Sequence, residues 1–170
     1  ALSVFTALFI NLSPQFGSNP SSSQKKLYSR YDNYVDGEFK NHEPTKLFTE
    51  EMSMANFFKD HPNQVPKKDI TPMELDLNSF KSQLNGKFKL SWLGHSAFII
   101  NLGGNIILLD PMLGQYAAPI PMPSLKRYST QIAFSVEDID TIDIVVYSHD
   151  HYDHLDYSTI KKIKGKVGLF

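Results

Sequence analysis

Three histidines and three aspartates lie within residues 148–156, which read SHDHYDHLD. Four of these residues, His149, His151, Asp153 and His154, form the pattern H-x-H-x-D-H. In an extended segment, side chains two residues apart point to the same side, so His149 and His151 can present their imidazoles to one metal ion. The turn that must follow re-aims Asp153 and His154 towards a second ion. Imidazole and carboxylate ligands suit zinc, with iron and manganese as alternatives.

Two metal ions about 3.5–4 Å apart can share a hydroxide and stabilise the attacking and leaving oxygens of a hydrolysis. In this interpretation Asp153 is catalytic as well as a ligand, because it accepts a hydrogen bond from the metal-bound hydroxide and orients it. Two simpler interpretations stay open: a mononuclear or structural site, and a polar loop whose aspartates cap a helix while its histidines are solvated. The chain contains no cysteine, which excludes disulfides, thiolate nucleophiles and cysteine zinc sites.

The cluster lies between a predicted strand and a predicted helix. IDIVVYS is an apolar run typical of a strand covered on both faces, and YSTIKKIK predicts a helix with Asp156 at its N-cap. Upstream, AFIINL and NIILLD flank Gly103 and Gly104, a two-residue hairpin signal. KVGLF predicts a further strand. Because ligands in α/β proteins often bind at strand ends, the pattern predicts a site at one edge of a sheet.

Composition divides the chain into three predicted regions. Residues 1–33 hold the apolar run ALSVFTALFINL and a linker rich in serine, proline, glycine and asparagine. The run is too short to span a bilayer and suits either part of an export signal or an ordinary buried element, so the compartment is not predicted. Residues 34–86 form an N-terminal extension with an amphipathic helix in PTKLFTEEMSMANFFKDHP, and residues 87–170 carry the predicted strands and the histidine cluster.

The net charge of the chain indicates which classes of binding partner to expect. The formal net charge is −1, so no basic field attracts nucleic acid, and a nucleic-acid partner is not expected. The apolar N-terminal run and the loop rich in proline and methionine after Asp110 are compatible with peripheral contact to a membrane.

The pattern H-x-H-x-D-H after a buried strand resembles the metallo-β-lactamase superfamily, whose members have an αββα sandwich with a di-metal centre at the sheet edges. WLGHSAFII and LLDPML resemble strands of one branch, which includes the N-acyl-phosphatidylethanolamine-hydrolysing phospholipase D enzymes and the ascorbate-6-phosphate lactonases. DGEFKN resembles a GRFxNP segment of the phospholipase-D-like members, with Glu38 in place of Arg and His42 in place of Pro. SLKRY resembles a GPKRF segment. The resemblance covers roughly residues 34–170.

The resemblance implies roles for residues outside the cluster. Asp110 is expected to orient a ligand histidine, with a turn-forming aspartate before proline as the alternative. His95 is expected to contact substrate or a metal ligand, with a packed or surface histidine at a turn as the alternative. Lys126 and Arg127 are candidates to hold a substrate phosphate, or else are solvated surface charges.

The superfamily completes its metal site with a later histidine, a bridging aspartate and a final histidine, and no histidine follows His154 in this chain. The resemblance therefore predicts an α/β fold that is the N-terminal half of the αββα sandwich, with two ligands for each metal ion. Weak metal binding, no turnover by this chain alone and a need for the missing C-terminal half are the expected consequences.

For the intact protein, the predicted function is a metal-dependent hydrolase with two divalent metals, expected to be Zn²⁺. It would cleave a phosphodiester in a small-molecule or phospholipid substrate through a metal-bound hydroxide. Two alternatives remain: a sugar-phosphate lactonase of the same superfamily, and a non-catalytic, metal-stabilised module that docks on a partner.

Overall fold

The computed structural model describes residues 2–46, 62–63, 65–82, 87–129 and 131–170. The chain forms two units, residues 1–64 and residues 65–170. Most of the amphipathic helix predicted for residues 44–62 lies outside the described residues. Within the described part of the chain, no helix combines the length and apolar character needed to cross a membrane.

The described part of the first unit contains two α-helices. The apolar N-terminal run forms α1 (Leu2–Leu12), and most of its large side chains are exposed. The stretch expected to be a linker contains α2 (Ser22–Tyr28), which the sequence analysis missed. A capping box begins this helix: Ser21 accepts a hydrogen bond from the backbone N–H of Gln24, and the Gln24 side chain accepts one from the backbone N–H of Ser21. The serines of this stretch therefore start a helix rather than only loosening the chain.

A short hairpin completes the first unit. Strands β1 (Tyr34–Val35) and β2 (Glu38–Phe39) pair in antiparallel fashion around Asp36 and Gly37. Both turn residues have positive φ, 56° and 85°, the conformation of the tight turn that an Asp-Gly pair favours. Ring centroids 4.9–5.6 Å apart join α2 to the hairpin through Tyr28, Tyr34 and Phe39.

The second unit is built on a mixed sheet of five strands in chain order. The strands are β3 (Phe88–Gly94), β4 (Ala97–Leu102), β5 (Asn105–Leu109), β6 (Ile142–Val146) and β7 (Val167–Leu169), with helices α3 (Leu77–Lys81) and α4 (Tyr157–Ile163). Pairing is antiparallel from β3 to β5 and parallel from β5 to β7. Strands β3, β5 and β6 therefore run in the same direction, and their C-terminal ends reach the same edge of the sheet.

The predicted hairpin between β4 and β5 is confirmed. Gly103 and Gly104 form its two-residue turn with φ of 61° and 97°. Positive φ at both positions gives the strands a turn that matches their right-handed twist, and glycine adopts it without steric cost.

One face of the sheet is covered and the other is open. Helices α3 and α4 and the irregular segment before β6 contribute to a core that includes Phe80, Ile99, Leu108, Val136, Val145 and Ile163. On the opposite face, large apolar side chains are 44–64% exposed, namely Phe88, Leu90, Trp92, Leu102, Val146 and Leu169. An apolar face of this extent is what a second layer covers in a sandwich architecture.

Asn101 joins α3 to the sheet at a buried position. Its Nδ2 donates to the carbonyl of Phe80 at 2.7 Å, and its Oδ1 accepts from the backbone N–H of Gly104 at 3.0 Å. We expect Asn101→Ala to lower the free energy of unfolding by about 1–3 kcal/mol, because the Phe80 carbonyl loses a buried hydrogen bond and the Gly104 N–H loses a partly buried one. Chemical denaturation measures this change. The matched control is Asn105→Ala, which removes one exposed bond of 3.3 Å to Leu102 and is expected to cost under ~0.5 kcal/mol. Equal losses in the two variants would contradict the role given to Asn101.

Candidate metal centre

The four residues of H-x-H-x-D-H lie in the loop that leaves β6, and their imidazoles converge. The ring of His149 lies 4.5 Å from that of His151 and 4.1 Å from that of His154, between centroids. The loop turns back on itself, because the backbone N–H groups of His154 and Leu155 both donate to the carbonyl of His151, at 3.0 and 2.8 Å. The ring of His149 thus lies close to the rings of both His151 and His154. From the sequence, His149 and His151 were expected at one metal ion, and Asp153 and His154 at a second.

Asp110, directly after β5, anchors the cluster. Its carboxylate is 6% exposed and accepts three hydrogen bonds. The backbone N–H and the hydroxyl of Ser148 donate to it at 2.7 and 2.8 Å, and Nδ1 of His154 donates at 2.9 Å. This contact with His154 is the arrangement expected of an aspartate that orients a ligand histidine.

Ser148 is a member of the site that the sequence analysis did not single out. Its hydroxyl lies 2.9 Å from Nδ1 of His149. Because that hydroxyl donates its proton to Asp110, its oxygen accepts the proton that His149 carries on Nδ1. The available signal was a hydroxyl residue at the end of a buried strand, directly before the first histidine of the motif.

The ionisation of Asp110 sets the tautomers of the histidines. Burial raises the pKa of the Asp110 carboxyl. The hydrogen bonds from His154 and Ser148 together lower this pKa by more than burial raises it, so the pKa lies below the ordinary value of 3.8. The carboxylate is therefore ionised at neutral pH and only accepts hydrogen bonds. Consequently His154 and His149 each carry a proton on Nδ1, and Nε2 is the ring nitrogen that does not contact these acceptors.

His95 joins the cluster from the end of β3. Its Nε2 lies 2.8 Å from Oδ2 of Asp153, and its ring centroid lies 5.5 Å from that of His154. Ligand atoms of His95, Asp153 and His154 all lie within 4.8 Å of one another. The structure thus places His95 among the candidate metal ligands, beside the role at the substrate or behind a ligand that the resemblance implied.

Two residues of the site have a strained backbone conformation. His95 has a φ of 47° and Asp110 a φ of 43°, in the left-handed region that non-glycine residues seldom adopt. Both follow a strand directly, and the turn that ends the strand brings their side chains to the sheet edge. Strain of this kind costs about 1–3 kcal/mol per residue and is concentrated at functional sites.

Asp156 fixes the far end of the loop. As predicted it is the N-cap of α4, accepting from the backbone N–H of Ser158 at 2.9 Å. It is 1% exposed, and its second oxygen also accepts from the N–H of Gly114 at 2.8 Å and the hydroxyl of Thr159 at 2.6 Å. Asp156 therefore ties the segment that follows Asp110 to the helix that follows the histidines.

The donor set fits a divalent metal ion. Imidazole and carboxylate groups converge at one sheet edge, and two of the histidines are held through Nδ1 by an acceptor behind them. Metal-ligating histidines generally have this second contact, which fixes the ring and its tautomer.

Comparisons with known proteins show what this chain is similar to. Residues 89–167 match the model of the beta-lactamase superfamily domain. An uncharacterized protein of Mycobacterium tuberculosis is 26% identical over 148 residues, which is 85% of this chain and 39% of the relative. The N-acyl-phosphatidylethanolamine-hydrolyzing phospholipase D 1 of Caenorhabditis elegans is 32% identical over 118 residues, 69% of this chain and 32% of the relative. A metal-dependent hydrolase of Sulfurisphaera tokodaii is 35% identical over 83 residues, 48% of this chain and 31% of the relative.

These matches confirm the predicted family resemblance and the α/β fold class. The chain spans 39% or less of the length of these three relatives.

Replacing the anchor of the histidines tests the metal site. We expect Asp110→Asn to weaken Zn²⁺ binding about 10- to 100-fold. The amide has one acceptor oxygen in place of two, and its NH₂ group would face a hydrogen-bond donor of Ser148 or His154. Competition with a chromophoric chelator measures the Kd, and circular dichroism checks that the variant is folded. Asp138→Asn, an equal charge change at an exposed position of the short helix Val136–Asp138, serves as the control. Unchanged affinity in Asp110→Asn would remove Asp110 from the site.

Proposed function

We propose that the protein containing this chain is a metal-dependent hydrolase, and the match of residues 89–167 to the beta-lactamase superfamily domain supports this class. The observation that carries the proposal is the convergence of three imidazoles and Asp153 at the end of β6, with His149 and His154 held through Nδ1. Relatives named as metal-dependent hydrolases support the same class.

The finer proposal is a phosphodiesterase of the phospholipase-D-like type that uses two divalent ions, expected to be Zn²⁺. The similarity to the phospholipase D of Caenorhabditis elegans, over 69% of this chain, supports this choice. The substrate is then a phosphodiester, either a small molecule or a phospholipid reached by peripheral membrane contact. A bound divalent ion would supply Lewis acidity and would lower the pKa of water to about 7.

The residues of this chain have distinct tasks in this proposal. The proposed metal ligands are His149, His151, Asp153 and His154. Of these, His149 and His154 would present Nε2 to an ion, while Ser148 and Asp110 hold their rings in place. Nε2 of His95 lies 2.8 Å from Oδ2 of Asp153, and in this proposal it donates a hydrogen bond to that oxygen. This contact leaves Oδ1 of Asp153 to accept a hydrogen bond from the attacking water and to hold that water in line with the phosphorus.

The ligands of this chain are proposed to be part of a larger set. Tetrahedral zinc takes four ligands, so two ions require more donors than the motif alone contains. We propose that residues outside this chain complete the site, next to the open apolar face of the sheet. The 170-residue chain alone is then expected to bind metal weakly and to turn over no substrate.

An assay with a model phosphodiester tests the proposal. The full-length protein should hydrolyse bis(p-nitrophenyl) phosphate. A chelator should abolish this activity, and added Zn²⁺ should restore it. Asp153→Asn should lower kcat at least about 100-fold, because the amide cannot orient and accept from the attacking water in the same way. The control His42→Gln changes a histidine with a 68% exposed side chain in the first unit, and should leave the rate unchanged.

The same assay separates the alternatives. Faster hydrolysis of a sugar-phosphate lactone than of the phosphodiester would move the assignment to the lactonase. Binding of metal without hydrolysis of either substrate would favour the non-catalytic module.

A further inference from the structure

A groove of about 550 Å³ lies in the second unit, outside the histidine cluster. Its walls are two stretches of chain, residues 65–69 and residues 115–129. The second stretch belongs to the long, proline-rich connection between β5 and β6. A long irregular connection inside a folded unit is commonly functional.

Backbone hydrogen bonds hold the walls of the groove. The N–H of Arg127 donates to the carbonyl of Gln115 at 3.0 Å, and the N–H of Ala117 donates to the carbonyl of Leu125 at 2.9 Å. These bonds fold the connection into an antiparallel pair. The wall formed by residues 65–69 is attached to this pair by a bridge between Ile70 and Ser129. The groove is therefore a formed feature of the unit.

The lining of the groove is cationic. Lys68, Lys126 and Arg127 line it with one carboxylate, Asp69, for a local formal charge of +2. The chain as a whole has a formal charge of −1. Positive charge is thus concentrated here, against the overall balance, and a concave cationic surface attracts anions.

Arg127 is incompletely paired within the described part of the chain. Its guanidinium donates to the carbonyl of Met112 at 3.2 Å, while its buried Nε has no partner there. Burial lowers the pKa of Arg127, and the charge of Asp156 opposes that shift. Asp156 already accepts hydrogen bonds from the residues around it, including Gly114 and Thr159. A partly desolvated cation with this environment is stabilised by an added anion.

We propose that this groove binds a phosphate group, held by the guanidinium of Arg127 and the ammonium groups of Lys68 and Lys126. The planar guanidinium matches pairs of phosphate oxygens, and the two lysines add point charges. The hydroxyls of Ser124 and Ser129 also line the groove and supply neutral donors.

The groove is linked to the histidine cluster by a short chain of contacts. Arg127 donates to the carbonyl of Met112, the N–H of Met112 donates to the carbonyl of Asp110 at 2.7 Å, and the Asp110 carboxylate holds His154. The groove is nevertheless separate from the histidine cluster, where the proposed function places the phosphorus that is attacked. The phosphate bound in the groove is therefore a different one, and this inference stands independently of the proposed function.

Titration calorimetry on the 170-residue chain, with a chelator present so that no metal ion contributes, tests the groove. The probes are inorganic phosphate, glucose 6-phosphate and glycerophosphoethanolamine. Phosphate should bind, and Lys68→Gln with Lys126→Gln should weaken the Kd on the order of tenfold or more. The control is Lys161→Gln with Lys164→Gln, the same charge change at exposed positions on and next to α4, which should retain the affinity of the parent.

A second variant distinguishes a loss of phosphate binding from a loss of folding. Arg127→Lys keeps the charge but loses the planar guanidinium, and phosphate should bind more weakly while circular dichroism stays unchanged. Equal Kd values in the groove and control variants, or no phosphate binding by the parent, would overturn the proposal.

The organic probes identify the source of the phosphate group. Tighter binding of either ester than of inorganic phosphate assigns the groove to an organic phosphate, and weaker binding of both assigns it to the free anion. Phosphate binding in the groove of a protein that shows no metal-dependent hydrolysis would reject only the proposed function.

Discussion

The carboxylate of Asp110 is the constraint on which the rest of the site depends. It is buried at the end of β5, yet it is ionised, because the hydroxyl and N–H of Ser148 and the imidazole of His154 donate to it. Burial of a charge is costly unless it is paired or hydrogen-bonded. The three donors meet that requirement only when the loop after β6 lies against β5. The same bonds that stabilise the carboxylate therefore place two imidazoles in one tautomer.

Sheet topology explains why residues far apart in sequence can meet this requirement. Strands β3, β5 and β6 run in the same direction, so His95, Asp110 and Ser148 follow their respective strands at the same edge. The left-handed backbone of His95 and Asp110 adds a local cost at two of these ends. A packed core on one face of the sheet keeps the strand ends in place and so sustains that cost.

Much of this arrangement could be predicted from local patterns. The apolar runs indicated the strands, Gly103 and Gly104 indicated the hairpin, and Asp156 was identified as the N-cap of α4. Local patterns carry no information about which strand ends become neighbours, so the pairing of His95 with Asp153 was not predictable. Ser148 was overlooked because a single hydroxyl has a role only once Asp110 lies beside it. The helix in the predicted linker was missed for a simpler reason, since its capping signal was read as a flexible serine run.

The two charged regions of the second unit are complementary in what they attract. The cluster combines the carboxyl groups of Asp110 and Asp153 with imidazole nitrogens, a set of ligands that suits divalent cations. The groove collects three cationic side chains, among them the partly desolvated Arg127, which is an environment for an anion. Both are positioned by the segments that leave β5 and β6, and Asp156 ties those segments together. Cations are therefore drawn to the sheet edge and anions to the groove, so the fold keeps a metal-binding region and an anion-binding region apart while the same two segments position both.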